Sequence, residues 1–192
     1  MMKIRFWWMA LAVCVCGFVS LTLTSCGDDK EEEAASVYEV SIIAVLPKVV
    51  APYASLEVTY NDEQGNTKTF TVNAGDQSDA MPQYVTQTLD LMTLGMVDYN
   101  TCIVRRVSFN MPAGRKAGCR YKTVLNGKQA TEASEGVYFK PFARVLARLA
   151  GSEGLVVPSS VSFSTVTGGN ADVFNLRLQN WASQEGECTI QL

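Results

Sequence analysis

The chain has 192 residues, 16 of them basic and 19 acidic, for a formal charge of −3, and it contains no histidine. The missing histidine excludes Ser-His-Asp and Cys-His catalysis, histidine-containing zinc sites and the ordinary histidine pH switch. A chain this close to neutral also offers no basic face to nucleic acid, and its length suits a single domain.

Residues 1–25 open with Lys3 and Arg5, continue as an apolar run from Phe6 to Val19, and end in Ser20, Thr22, Thr24 and Ser25. That is the shape of a secretory signal peptide, and the run is shorter than the roughly 20 residues a spanning helix needs. Leu23-Thr24-Ser25-Cys26 resembles the lipobox of bacterial lipoproteins, in which an aliphatic residue and two small ones precede a cysteine that is acylated and becomes the new N-terminus. The resemblance implies that Cys26 is the lipidation site and that the membrane is a partner through its lipid. Because one acyl chain binds only marginally, it implies more than one. The competing reading is an ordinary signal peptide or hydrophobic anchor with Cys26 as a bystander.

Gly27-Asp28-Asp29-Lys30-Glu31-Glu32-Glu33 follows at once. Like charges repel and nothing there can be buried, so residues 26–36 read as a lipidated cysteine and a disordered acidic tether. An acidic run at this spot resembles the surface-export signal of lipoproteins of the Bacteroides group. It implies an outer-membrane protein exposed at the cell surface. From Val37 onward 13 basic residues meet 14 acidic ones, so the folded part, 37–192, is nearly neutral.

From Val37 the pattern becomes short alternating runs punctuated by glycine, asparagine and proline, the mark of strands. Val37 to Val45 is the first, ended by Pro47. Ser55 to Tyr60 and Thr67 to Val72 flank the polar Asn61 to Asn66 and form a hairpin. Pairing residues that sum to 128 sets Leu56 against Val72, Val58 against Phe70 and Tyr60 against Lys68, and a slip of one residue would destroy that agreement. A polar loop, Asn73 to Gln83, leads to a predicted strand, Tyr84 to Leu91, with Val85, Leu89 and Leu91 on one side. Thr101 to Met111 and Cys119 to Leu125 are two more, separated by a bend over Pro112 to Gly118.

Pro141 to Ala150 is the predicted helix. Proline suits a first turn, Phe142, Val145, Leu146 and Leu149 recur at i, i+3, i+4 and i+7, and Gly151 can cap the end. The alternative is a strand from Val137 through Leu149 interrupted by Pro141. Val161 to Val166, Val173 to Leu178 and Glu187 to Leu192 close the series as strands, the second of which also fits helical spacing through Phe174, Leu178 and Trp181. The whole predicts a mainly β domain, an antiparallel two-layer β-sandwich, Ig-like or transthyretin-like, with one short helix near 141–150.

No catalytic motif emerges. Ala150-Gly151-Ser152-Glu153-Gly154 misses G-x-S-x-G at its first position and has no histidine to serve as base. Carboxylates could act in pairs, as in glycosidases, and Asp62, Asp76, Asp79, Asp98 and Asp172 are the loop candidates, with turn formation as their default role. No loop has the spacing of a calcium site, so neither metal nor cofactor is expected. Of the six cysteines, Cys14 and Cys16 lie in the signal segment and Cys26 in the lipobox, which leaves Cys102, Cys119 and Cys188. Dispersed single cysteines are read first as small buried hydrophobes, and alternation points Cys119 and Cys188 into the core; if one disulfide forms, these two are the pair nominated for it. Trp181, the one tryptophan beyond the signal segment, is the candidate for stacking against a sugar, with a place in the core as its bland alternative.

These features resemble those of the small surface lipoproteins of the Bacteroides group. They lead to the expectation of a non-enzymatic, lipid-anchored binding or assembly module with a protein or glycan partner. A glycan-binding accessory of an uptake system, a fimbrillin-like pilus component donating Glu187 to Leu192, and a carboxylate-dependent hydrolase are the alternatives.

Overall fold

A computed structural model describes residues 36–152, 155–156 and 165–192. The signal segment, Cys26, nearly all of the acidic tether and most of the predicted strand at Val161 to Val166 lie outside the described residues.

The domain is an antiparallel two-layer β-sandwich. Its elements are β1 (Val37–Pro47), β2 (Ala54–Asn61), β3 (Thr67–Val72), α1 (Gln83–Thr93), β4 (Cys102–Pro112), β5 (Lys116–Leu125), β6 (Ser134–Phe139), β7 (Phe142–Leu149), β8 (Leu155–Val156), β9 (Thr165–Gly169), α2 (Ala171–Ala182) and β10 (Glu185–Gln191). Sheet I has the order β4-β1-β7-β8, sheet II the order β10-β5-β2-β3, and β6 and β9 form a separate ribbon. The β2–β3 hairpin has the register expected from its apolar face, Leu56 against Val72, Val58 against Phe70 and Tyr60 against Lys68. Asp62 holds the turn, its carboxylate accepting the N–H groups of Gln64 at 3.0 Å and Asn66 at 2.8 Å.

β1 is central because it is apolar on both faces. Val40, Ile42, Ala44 and Leu46 point between the sheets and join Leu56, Val58, Cys119, Cys188 and Ile190 in the main core. Ile43 and Val45 point the other way and pack with Val85 and Leu89 of α1 and with Phe142 and Leu146 of β7. A helix thus lies on the outer side of sheet I. Beyond it, a polar network continues over the same face. Glu39 accepts from Arg106 at 2.9 Å and Arg148 at 3.0 Å, and the Arg148 guanidinium sits 4.5 Å over the ring of Tyr84, at the start of α1.

Three predicted elements change type. The helix expected over Pro141 to Ala150 is the strand β7. It pairs with β1 over eight residues, Val45 against Phe142 through Tyr38 against Leu149. Its two faces are both covered, so Ala143, Val145 and Ala147 serve the main core while Phe142 and Leu146 serve the second cluster. Apolar residues at both parities mimic helical spacing, which is why periodicity misleads for a doubly buried strand. Pro141 stands just before the ladder, where no N–H is required, and Gly151, at φ 79°, turns the chain rather than capping a helix.

The strand expected over Tyr84 to Leu91 is α1. Val85 and Leu89 are fully buried one helical turn apart, whereas Leu91, assigned to the same side in a strand, is 78% exposed. Thr88 and Thr93 donate their hydroxyls to the carbonyls four residues back, at 2.7 and 2.9 Å. Helical conditions also win at 171–182, where Asn170 caps α2 by accepting the N–H of Val173 at 2.9 Å. Phe174 and Leu178 are buried there, with Phe174 edge-on to Tyr53 and Tyr138 at 5.5 and 5.3 Å.

Candidate functional site

The two sheets differ on their outer sides. Sheet I carries α1; the outer face of sheet II has no helix over it among the described residues and is polar apart from Val124, beside Ser55. Antiparallel pairing arranges that face in rows. Glu185, Lys122, Glu57 and Thr71 form one, Glu187, Arg120, Thr59 and Thr69 the next, and Thr189, Gly118, Asn61 and Thr67 a third. The same alternation that buries Leu56, Val58, Cys119 and Cys188 presents these residues to solvent.

A groove of about 430 Å³ runs across the second and third rows, lined by Thr59, Tyr60, Asn61, Thr67, Lys116, Gly118, Cys119, Arg120, Glu187 and Thr189. Gly118 makes its floor. A Cβ at this position would lie 2.7 Å from Cγ2 of Thr189 and 3.0 Å from the carbonyl oxygen of Cys188, so a side chain would enter the groove and force the Thr189 methyl to move. Thr67 donates to the side-chain oxygen of Asn61 at 3.0 Å, and the hydroxyls of Thr59 and Thr69 share a hydrogen bond at 3.1 Å. Next to the groove the Lys122 ammonium sits 2.9 Å from the Glu57 carboxylate, whose hydrogen bond and charge hold the lysine's pKa above its ordinary value. The face therefore combines hydroxyl, amide, guanidinium, ammonium and carboxylate groups on one sheet surface. It suits a hydroxyl-rich ligand recognised by hydrogen bonds.

Of the residues singled out from sequence, Cys119 borders the groove and the others fall elsewhere. Trp181 lies on α2 and packs against the main core, edge-on to Tyr138 with ring centroids 6.1 Å apart; it does not lie on the open face. Of the loop aspartates, Asp76 and Asp79 meet on the Arg105 guanidinium, at 3.6 and 3.1 Å, while Asp62, Asp98 and Asp172 lie in three other segments. Asp62 holds the β2–β3 turn, and desolvation pushes its pKa up while the N–H groups of Asn66 and Gln64, the Asn66 side chain and Lys68 together carry it below the ordinary value. Asp76 accepts the N–H of Asn73 at 2.9 Å and Asp98 that of Asn100 at 3.0 Å. Asp79 accepts the N–H of Arg106 at 2.7 Å and Nε of Arg105 at 3.1 Å, and Asp172 sits in the first turn of α2. Among the described residues no group of three or more acidic, cysteine or histidine side chains converges as a metal site would.

Cys119 and Cys188 are direct partners across β5 and β10, both buried, and both are free thiols; the nominated disulfide is not formed. The backbone supplies the reason. The N–H of Leu192 bonds the carbonyl of Arg115 at 2.9 Å, and counting back by twos makes Cys188 and Cys119 a hydrogen-bonded pair, the class with the wider side-chain spacing. A disulfide wants Cβ atoms about 3.5–4.5 Å apart. Burial, with the Cys188 thiol beside it, pushes Cys119 up to about 12, and burial pushes Cys102 up to about 11. Thiols with such values are not nucleophiles at neutral pH.

The groove itself was not visible in the sequence. Polar residues on alternate positions are what any half-solvated sheet displays, and Gly118, which β5 places inside a strand, reads from sequence as part of the bend before it. Comparison with known proteins adds no assignment, since no protein-family model, no curated protein and no solved structure matches the chain.

Proposed function

We propose that this chain is an outer-membrane lipoprotein, anchored through acyl chains on Cys26 and displayed at the cell surface, whose β-sandwich is a non-enzymatic binding module. The lipobox-like Leu23 to Cys26 and the acidic run after it support the anchoring half of this reading. The groove beside Gly118 carries the binding half, because it is open and polar on a face that no helix covers among the described residues. A glycan is the ligand class its hydroxyl, amide and charged groups favour, with Arg120 and Asn61 as contacts in place of Trp181.

The test has two arms. Protease accessibility on intact cells, with mass spectrometry of the N-terminal peptide, is expected to find the domain exposed and Cys26 acylated; Cys26→Ser is expected to release it from the membrane fraction. A protected domain sinks surface display, and a Cys26 without acyl chains sinks the anchor. In the second arm a glycan array is probed with the wild-type chain and with Gly118→Val. Retention of a carbohydrate signal at full strength in Gly118→Val, or no signal from the wild type, sinks the groove as a glycan site.

A further inference from the structure

We infer that the outer edge of β3 pairs with the same edge of a second copy of this chain, antiparallel and two-fold symmetric about Thr69. The argument begins with which backbone groups are spent. The N–H of Asp62 bonds the carbonyl of Asn66 at 3.0 Å, so in the ladder that follows Tyr60 with Lys68, Val58 with Phe70 and Leu56 with Val72 are the pairs that exchange hydrogen bonds. Thr67, Thr69 and Thr71 therefore turn their N–H and C=O groups away from β2, toward solvent, and all three residues are exposed.

The opposite treatment of sheet I makes this edge informative. β4 is also an edge strand, and the loop after β3 closes it. The N–H of Asp79 bonds the Val104 carbonyl at 2.8 Å, Ser78 receives the Val104 N–H at 3.1 Å, and the Asp79 carboxylate takes the Arg106 N–H. β3 has no such cover among the described residues, no proline and no bulge, the devices that blunt an edge. Its one gatekeeper charge, Lys68, is 3.7 Å from the Asp62 carboxylate.

Sequence then selects the occupant. A two-fold through Thr69 sets Thr67 opposite Thr71 of the second copy and Thr69 opposite its own equivalent, which engages all three free N–H groups and all three free carbonyls of each strand. On one face threonine meets threonine, a favourable cross-strand pair; on the other Lys68 meets Phe70, so no like charges face each other. Sliding the strands by two residues leaves fewer bonds and in one direction sets lysine against lysine. The self-complementary register is thus also the one with the most bonds, as an isologous interface requires.

A pairing confined to six residues lies below the roughly 1,200 Å² of a standard interface, so covalent capture is the suitable measurement. Full chains carrying Thr67→Cys, Thr69→Cys or Thr71→Cys are treated in cells with a bismaleimide spanning roughly 8 Å, less than the roughly 13 Å covered by four strand residues. Thr69→Cys is expected to give a cross-linked dimer several-fold above the unsubstituted chain, Thr67→Cys and Thr71→Cys alone only background, and the two expressed together a dimer again. Adding Thr69→Pro should return the mixed pair to background; because it also removes the hydroxyl bonded to Thr59, Thr69→Val, which loses that bond but keeps the N–H, is the control and should leave the mixed dimer in place. Equal cross-linking of all three single variants, background from Thr69→Cys, or an adduct to a protein of another mass overturns the second copy as occupant.

Discussion

At the scale of single residues the cysteines are the sharpest case. Alternation correctly turned Cys119 and Cys188 toward the core, because a period of two is a local property of a strand. Whether facing cysteines can join depends on which of two ladder positions they occupy, and that is set by hydrogen bonds at Arg115 and Leu192 that no side-chain pattern encodes. Three buried thiols follow, and with them a measurable chemistry. In the folded domain Cys102, Cys119 and Cys188 should resist alkylation at pH 8 and all three should react in denaturant; protection of two of them in unreduced, denatured protein would mean that the pair is bridged after all. The same thiols set an alkaline limit. Folding raises Cys102 from 9.0 to about 11 and Cys119 from 9.0 to about 12. Between those values the folded chain holds protons the unfolded one has lost, so their contribution is complete below pH 9 and declines as pH rises through 11 and 12. Thermal unfolding followed from pH 8 to 11 should show a falling midpoint, and Cys119→Ala should make the fall shallower.

Elements were legible where one face is wet and ambiguous where both are buried. The β2–β3 hairpin has a clear apolar face, and its register followed from the side chains alone. For β7 the side-chain pattern admitted both a helix and a strand, while the segment of α1 reads as a strand alone; tertiary packing decided both. β7 is covered by the main core on one side and by α1 with its neighbours on the other, so its apolar residues carry no strand signature. α1 has the reverse problem, since its burial is concentrated in Val85 and Leu89 while Leu91 hangs in solvent. Two substitutions separate a helix from a strand there. Leu89→Ala empties a fully buried site and should cost about 2–5 kcal/mol, a drop of roughly 2–4 °C in midpoint for each kcal/mol in a domain of this size. Leu91→Ala should stay within about 0.5 kcal/mol of wild type. In a strand with Val85, Leu89 and Leu91 on one buried side, both would be costly. Calorimetry of the two variants decides it.

For the whole molecule the fold class was legible and the strand order was not, because β4-β1-β7-β8 and β10-β5-β2-β3 are fixed by contacts between segments far apart in sequence. Among the described residues, that order leaves α1 over the outer face of sheet I and no helix over the outer face of sheet II. β1 has partners on both edges and packing on both faces, so its amides open only when the domain unfolds. β3 stands at the other extreme, an edge strand beside the open groove. Hydrogen exchange in dilute solution should therefore be slowest over Ile42 to Val45 and should alternate along β3, with the amides of Lys68, Phe70 and Val72 slower than those of Thr67, Thr69 and Thr71. The alternation comes from backbone geometry alone and needs no partner. Uniform protection along β3 at the lowest concentration would mean that another segment of the same chain covers this edge. Protection of the three threonine amides that grows with protein concentration would locate self-association on that edge and would leave the amides of Arg120 and Lys122, which face β2, unchanged.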